Sequence, residues 1–133
     1  MHGGGEGGGG AVRRLRTGDP RCSGIVCYGG IVYLTGQTSD EGEDIRSQTR
    51  RVLEKIDALL AEAGSDKSRL LTAMIWLKDI QRDFHGMNAV WNDWVDAENK
   101  PTRACVEGRL AREKLLVEIQ VTAVSPQSAR SRL

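Results

Sequence analysis

The sequence holds only three cysteines, Cys22, Cys27 and Cys105, and no Cys-x-x-Cys or Cys/His cluster. That set excludes a disulfide framework and leaves no spacing typical of a zinc site. The expectation is reduced, partly buried thiols and no metal. Charge of one sign is missing too. Nineteen basic against eighteen acidic side chains leave +1, which argues against a broad nucleic-acid or membrane surface, since both need a clustered positive field. No apolar run reaches the ~18 residues of a bilayer span. The opening Met1-His2-Gly3-Gly4-Gly5-Glu6 lacks the apolar core of a signal peptide. A cytoplasmic or organellar location follows as the expectation.

What the chain does have is enough length, 133 residues, for one domain around one core. Seven of the sixteen glycines fall in residues 1–10, which read as a disordered tail too poor in apolar groups to offset chain entropy. They form no phosphate loop, because no Lys-Ser/Thr and no strand-to-helix context follows. Residues 125–133 are polar and pattern-free and read as a second tail. The expected single domain is 11–124.

Within it, Val12-Arg13-Arg14-Leu15-Arg16 reads as an edge strand. Ile25 to Tyr28 and Ile31 to Thr35 flank Gly29-Gly30, a two-residue hairpin signal. Residues 44–63 carry Ile45, Thr49, Val52, Leu53, Ile56, Leu59, Leu60 and Ala63 at helical spacing, with acidic residues near the start and Gly64 as a cap. Leu70 to Leu77 reads as a strand apolar on both sides: Leu71, Ala73, Ile75 and Leu77 on one, Leu70, Met74 and Trp76 on the other. A second helix over 82–96 has Phe84, Met87, Trp91, Trp94 and Val95 as its stripe, and Pro101 stops it. Two alternating strands, 101–107 and 116–120, complete the domain.

This order predicts an α+β fold with two helices on one face of a mixed sheet. Two helices leave the other face open, yet Met74, Trp76 and Leu34 or Tyr33 put apolar groups there. A monomer rarely exposes such a face, so a second subunit is expected to cover it.

Candidate chemistry sits on the last two strands. Alternation places Ala104, Val106, Gly108 and Leu110 toward the helices and Arg103, Cys105, Glu107 and Arg109 toward the open face. Arg103 there needs an anionic partner, either a carboxylate ligand gripped bidentately or an intersubunit salt bridge. Glu118 lies on the polar side of the last strand, as a proton-moving carboxylate or simply a solvated one. A 111–114 turn would pair these strands as a hairpin and separate Arg103 from Glu118 by roughly 13 Å on a shared face. Either the register differs or the two groups meet across a subunit boundary. His85 has no nucleophile partner and reads as a surface or capping residue. Trp91 and Trp94, three apart on the helical stripe, read as core packing.

With those residues in view, the chain resembles the Rid family (reactive intermediate deaminases, also called the YjgF family, with the older labels L-PSP endoribonuclease and translation inhibitor). The resemblance covers about residues 22–124. It is carried by Tyr33-Leu34-Thr35-Gly36-Gln37, Leu77-Lys78-Asp79-Ile80, Met87-Asn88-Ala89-Val90-Trp91, Pro101-Thr102-Arg103-Ala104-Cys105-Val106-Glu107 and Val117-Glu118-Ile119. It implies a chorismate-mutase-like α+β fold and a homotrimer whose sheets face inward, with clefts between subunits. It implies hydrolysis of 2-imino acids of the 2-iminobutanoate and 2-iminopropanoate type, released by pyridoxal-phosphate enzymes, to 2-keto acids and ammonia, without metal or organic cofactor. Arg103 matches the residue that binds the substrate carboxylate and Glu118 the one that positions water. Gly36 and Thr35 line the cleft, and Asn88 and Cys105 match further pocket positions. The chain departs from the pattern at Cys22, where a pocket tyrosine stands in well-known deaminases, at Leu110-Ala111 in place of Leu-Pro, and in a segment between Asn88 and Arg103 about two residues shorter. A non-catalytic carboxylate binder or regulatory protein is the alternative function, and RNA cleavage or translation inhibition a further one. Membrane association is not expected, and the charge balance weighs against nucleic acid. The final Ser131-Arg132-Leu133 is similar to a peroxisomal address, which sets a peroxisome-like organelle beside the cytoplasm as the expected location.

Overall fold

A computed structural model describes residues 10–125. The glycine-rich start and residues 126–133, with the Ser131-Arg132-Leu133 motif, lie outside that range. The described elements are β1 (Arg13–Leu15), β2 (Ile25–Tyr28), β3 (Ile31–Leu34), α1 (Ile45–Glu62), β4 (Leu70–Leu77), α2 (Ile80–Trp94), β5 (Thr102–Glu107) and β6 (Val117–Val124). The strands form one mixed sheet in the order β1-β2-β3-β6-β4-β5. Both helices pack on one face, as the α+β expectation required.

Local chemistry explains the elements. Gly29 and Gly30 both adopt positive φ, 61° and 83°, which a two-residue turn between right-twisted strands needs. Asp44 caps α1 by accepting from the Ser47 backbone N–H, while the Ser47 hydroxyl accepts in return from the Asp44 backbone. Gly64, at φ 82°, takes the left-handed position after the helix. The α1 stripe lands as expected, with Thr49, Val52, Leu53, Ile56, Leu59, Leu60 and Ala63 buried. Its apolar members meet Ile75, Leu77, Val117, Ile119 and Val121 from the sheet, all in one apolar core. Each such aliphatic side chain contributes roughly 2 kcal/mol on burial. α2 runs Ile80–Trp94, two residues earlier at each end than its periodicity suggested, because Asp79 caps it by accepting from the Arg82 N–H.

Three expectations need correction. First, β5 and β6 are not a hairpin. β5 pairs parallel with β4, α2 being the crossover, and β6 pairs antiparallel with β4 on its other side. The connection after β5 returns past β4 and is anchored to α1 by Gln48, whose amide donates to Lys114 O and accepts from Leu116 N–H. Second, the faces of β5 are reversed. The register Ala73↔Arg103, Ile75↔Cys105, Leu77↔Glu107 puts those β5 residues on the helix side, and Met74↔Ala104, Trp76↔Val106 puts the others on the open side. Alternation finds two faces but cannot say which one the helices cover, and here both carry apolar groups. Third, a bulge between Leu70 and Thr72 turns Leu70 inward and leaves Leu71 37% exposed.

The open face is as apolar as anticipated. Met74 and Trp76 stand on it half-buried, with Tyr33 44% and Val106 40% exposed. Tyr33 is the residue that joins them, since Leu34 is buried under the helices.

Candidate functional site

Two clusters of expected site residues form, and they occupy different parts of the sheet. The first is built where the edge strand β5 meets α2. Asn88 and Trp91 lie three residues apart on α2, so they share a helical face. That face looks onto Arg103. The Arg103 guanidinium donates through Nη1 to Asn88 Oδ1 at 2.8 Å, and its carbon sits 5.4 Å from the centroid of the Trp91 ring. Trp91 is 5% exposed, so one partner of this cation–π contact is withdrawn from water, and such contacts strengthen as water is excluded. Among the described residues no carboxylate comes within ion-pair distance of Arg103. Cys105 follows on the same side of β5. Burial pushes its thiol above the usual cysteine range, and the Arg103 charge opposes that rise only in part.

The second cluster forms where β3 ends against β6. Gln37 exchanges backbone hydrogen bonds with Ile119, at 2.9 and 3.1 Å, which holds Gly36 beside Glu118. A Cβ on Gly36 would stand 2.2 Å from Glu118 Oε2, so the carboxylate occupies space that only glycine leaves. Thr35 donates its backbone N–H to Gly24 O, and its hydroxyl lies 3.8 Å from Cys22 Sγ. Cys22, Thr35, Gly36 and Glu118 therefore line one stretch of surface. Glu118 projects from the open face, opposite Trp76 in register.

Arg103 and Glu118 do not meet within the chain. Arg103 is level with Ala73 and Val121, Glu118 with Trp76 and Val106. Three residues along and two strands across put their Cα atoms roughly 14 Å apart. They also point to opposite sides of the sheet. The groove of about 320 Å³ between α1 and α2, lined by residues such as Arg50, Lys67 and Trp94, contains neither. A hollow of about 350 Å³ beside Lys78, Glu107 and Arg112 contains neither as well. His85 is exposed, with its ring edge-on to Phe84, as its reading as a surface residue required.

Trp91 is the site neighbour that sequence reasoning assigned to core packing alone. The available signal was its position one turn after Asn88, facing the same strand.

Comparison with known proteins gives the chain its relatives. The family model described as Endoribonuclease L-PSP matches residues 20–125. A RutC family protein of Haemophilus ducreyi is 43% identical over 104 residues, covering 77% of this chain and 88% of its own. The RutC family protein YoaB of Escherichia coli is 38% identical over 105 residues, covering 79% and 91%. Among solved structures, a member of the YjgF protein family from Neisseria meningitidis superposes with a TM-score of 0.83 at 46% identity, covering 86% of this chain and 95% of that one. A protein of unknown function of the conserved Rid family from Yersinia pestis gives 0.79 at 29% identity, covering 86% and 99%. On the match to four-fifths of its length and on these relatives, the chain belongs to the L-PSP endoribonuclease family, also called the YjgF, RutC or Rid family.

Proposed function

We propose that the protein is an imine hydrolase that converts small 2-imino acids, of the 2-iminobutanoate and 2-iminopropanoate type, to 2-keto acids and ammonia. The observation that carries this reading is the state of Arg103: a guanidinium fixed by Asn88 and Trp91 with no carboxylate of the described residues against it. Such a group is prepared for a carboxylate that arrives with a ligand.

The opposed directions of Arg103 and Glu118 call for two chains. In the proposed homotrimer the open sheet faces turn inward. Each cleft takes Arg103, Asn88 and Cys105 from one subunit and Thr35, Gly36 and Glu118 from its neighbour. The apolar open face, with Tyr33, Met74, Trp76 and Val106, supports such an assembly, since burial of that surface drives association.

The chemistry follows from these groups. Arg103 holds the carboxylate, so the C=N carbon is presented in one orientation. Glu118 accepts a proton from water as the oxygen adds to that carbon, giving a carbinolamine. It returns this proton to nitrogen, then takes the hydroxyl proton and passes it to nitrogen as the C–N bond breaks, so the carbinolamine yields a C=O group and ammonia. Imines hydrolyse unaided, so orientation and one proton shuttle suffice, and the steps use no metal or organic cofactor. Enzymes that release 2-imino acids from pyridoxal phosphate would supply the substrate.

A coupled assay tests the reading. A threonine dehydratase generates 2-iminobutanoate, and ammonia release is followed with and without the protein. The expected result is acceleration by wild type and none by Arg103→Ala. Equal rates with and without wild type would overturn the enzyme reading. In that case, calorimetric binding of 2-oxobutanoate would identify the alternative, a carboxylate-binding protein.

A further inference from the structure

An arginine on an edge strand has four side-chain torsions to fix before it can grip a ligand in one pose. Here two side chains from α2 do this. The guanidinium carbon lies over the Trp91 ring, 5.4 Å from its centroid, and Asn88 Oδ1 accepts a hydrogen bond from Nη1–H at 2.8 Å. Trp91 is itself immobilised. Its other neighbour is the Trp94 ring, 5.3 Å away and tilted by 52°. Trp94 is pinned in turn, donating its Nε1–H to Asp57 Oδ2 of α1 at 3.0 Å, with Lys67 Nζ 5.3 Å from its ring centroid. A line of contacts thus runs from the outer helix layer, through two tilted indoles, to the guanidinium.

We infer that Trp91 is a positioning residue for Arg103, and that it and Asn88 together leave the Nε–Nη2 edge as the one that receives a carboxylate. This rests on the reading of Arg103 as a carboxylate-binding group. The consequence concerns substrate class. A planar edge with two parallel N–H donors matches one carboxylate in the guanidinium plane. The arrangement fits a small ligand that presents one carboxylate edge-on to those two donors.

The experiment is calorimetric titration of 2-oxobutanoate into full-length wild type and variants. Thermal melts accompany each titration. Trp91→Leu is expected to raise the Kd of 2-oxobutanoate by about ten-fold, with Trp91→Phe recovering most of the loss because a ring face remains. Replacing tryptophan by 5-fluorotryptophan keeps the shape but weakens the ring's attraction for cations. It is expected to weaken binding in wild type and to change nothing in the Trp91→Phe background, which also tests the inference if Trp91→Leu fails to fold. In the imine assay the Trp91 variants are expected to raise KM while kcat stays within about two-fold, which general loosening of the fold would not produce. Arg103→Ala separates the two levels. If it leaves binding unchanged, the carboxylate reading of Arg103 falls. If it abolishes binding while Trp91→Leu and the fluorinated protein bind as wild type does, the reading of Arg103 stands and the inference about Trp91 is overturned.

Discussion

Arg103 and Glu118 belong to one sheet but are held by opposite means. Arg103 is on the helix-covered side, and its position is imposed by large neighbours: the Asn88 amide, which accepts from it, and the Trp91 ring, over which it sits. Glu118 is on the open side, and its position is permitted by a missing neighbour, the side chain that Gly36 lacks. One region is built by filling space and the other by leaving it empty. The first should therefore be damaged by removing atoms and the second by adding them.

The largest effects should separate the regions kinetically. On the proposed reading, Arg103→Ala removes a bidentate charge-assisted grip worth about 3 kcal/mol, so kcat/KM for 2-iminobutanoate should fall by at least about 100-fold, with KM raised. Glu118→Gln should lower kcat by a comparable factor, about 100-fold or more, with KM little changed, because a proton shuttle acts in the transition state. If both variants change the same kinetic parameter, the division into a gripping half and a proton-moving half is wrong.

Gly36→Ala comes next. Its methyl would meet Glu118 Oε2 at 2.2 Å, and the carboxylate, being the far end of a flexible side chain, must move. Activity should drop about ten-fold or more while Tm moves by only a few degrees, since rotation of one side chain relieves the clash. Full activity in Gly36→Ala would show that the Glu118 position in the isolated chain is not the working one.

The open face carries the third test. Val106 is 40% exposed in the single chain, beside Trp76. Val106→Glu should leave the fold intact but disperse the proposed trimer in sedimentation, because a surface change costs little in the monomer and a buried unpaired charge costs much in an interface. Unchanged sedimentation would mean that this edge of the face is free.

Smaller effects concern titration. Hydrogen bonds from Ser47 hold the Asp44 carboxyl below its usual range. A depressed folded pKa means that the cap stabilises above the unfolded value, near pH ~4, and loses that contribution as pH falls through the folded value. Asp44→Ala should thus lower Tm at neutral pH and have a diminishing effect as the medium is made acidic, with activity at neutral pH retained. Cys105, whose thiol burial pushes upward, should be alkylated more slowly than a free cysteine in mildly alkaline buffer, as read by mass spectrometry. Fast labelling would place it in open solvent.

Much of this was legible in the sequence. Repeated 3–4 spacing located α1, because Val52, Ile56 and Leu60 have one face to bury and no other use. Gly29-Gly30 located the first hairpin, and Met74 with Trp76 revealed an apolar face without helices. What was not legible was which strands become neighbours. β5 and β6 are consecutive, and nothing in their alternation announces that β4 lies between them. That same insertion fixed the faces of β5, since a parallel partner with Ala73 and Ile75 facing inward dictates where Arg103 and Cys105 point. The separation of Arg103 from Glu118 survived the error for a different reason than the hairpin register gave: they stand on opposite faces. Trp91 was visible as a helical core residue. Its contact with Arg103 became visible only once β5 was placed against α2.

Subunit mixing tests the central claim most directly, because it asks whether the two halves come from different chains. Arg103→Ala and Glu118→Ala proteins, each inactive in imine hydrolysis, are unfolded together in equal amounts and refolded as mixed oligomers. If each cleft takes Arg103 from one subunit and Glu118 from its neighbour, random assembly restores both wild-type groups in about one cleft in four, and about a quarter of wild-type activity should return. If the mixture stays as inactive as either parent, while wild type taken through the same refolding regains its activity, the two residues do not serve one intersubunit pocket.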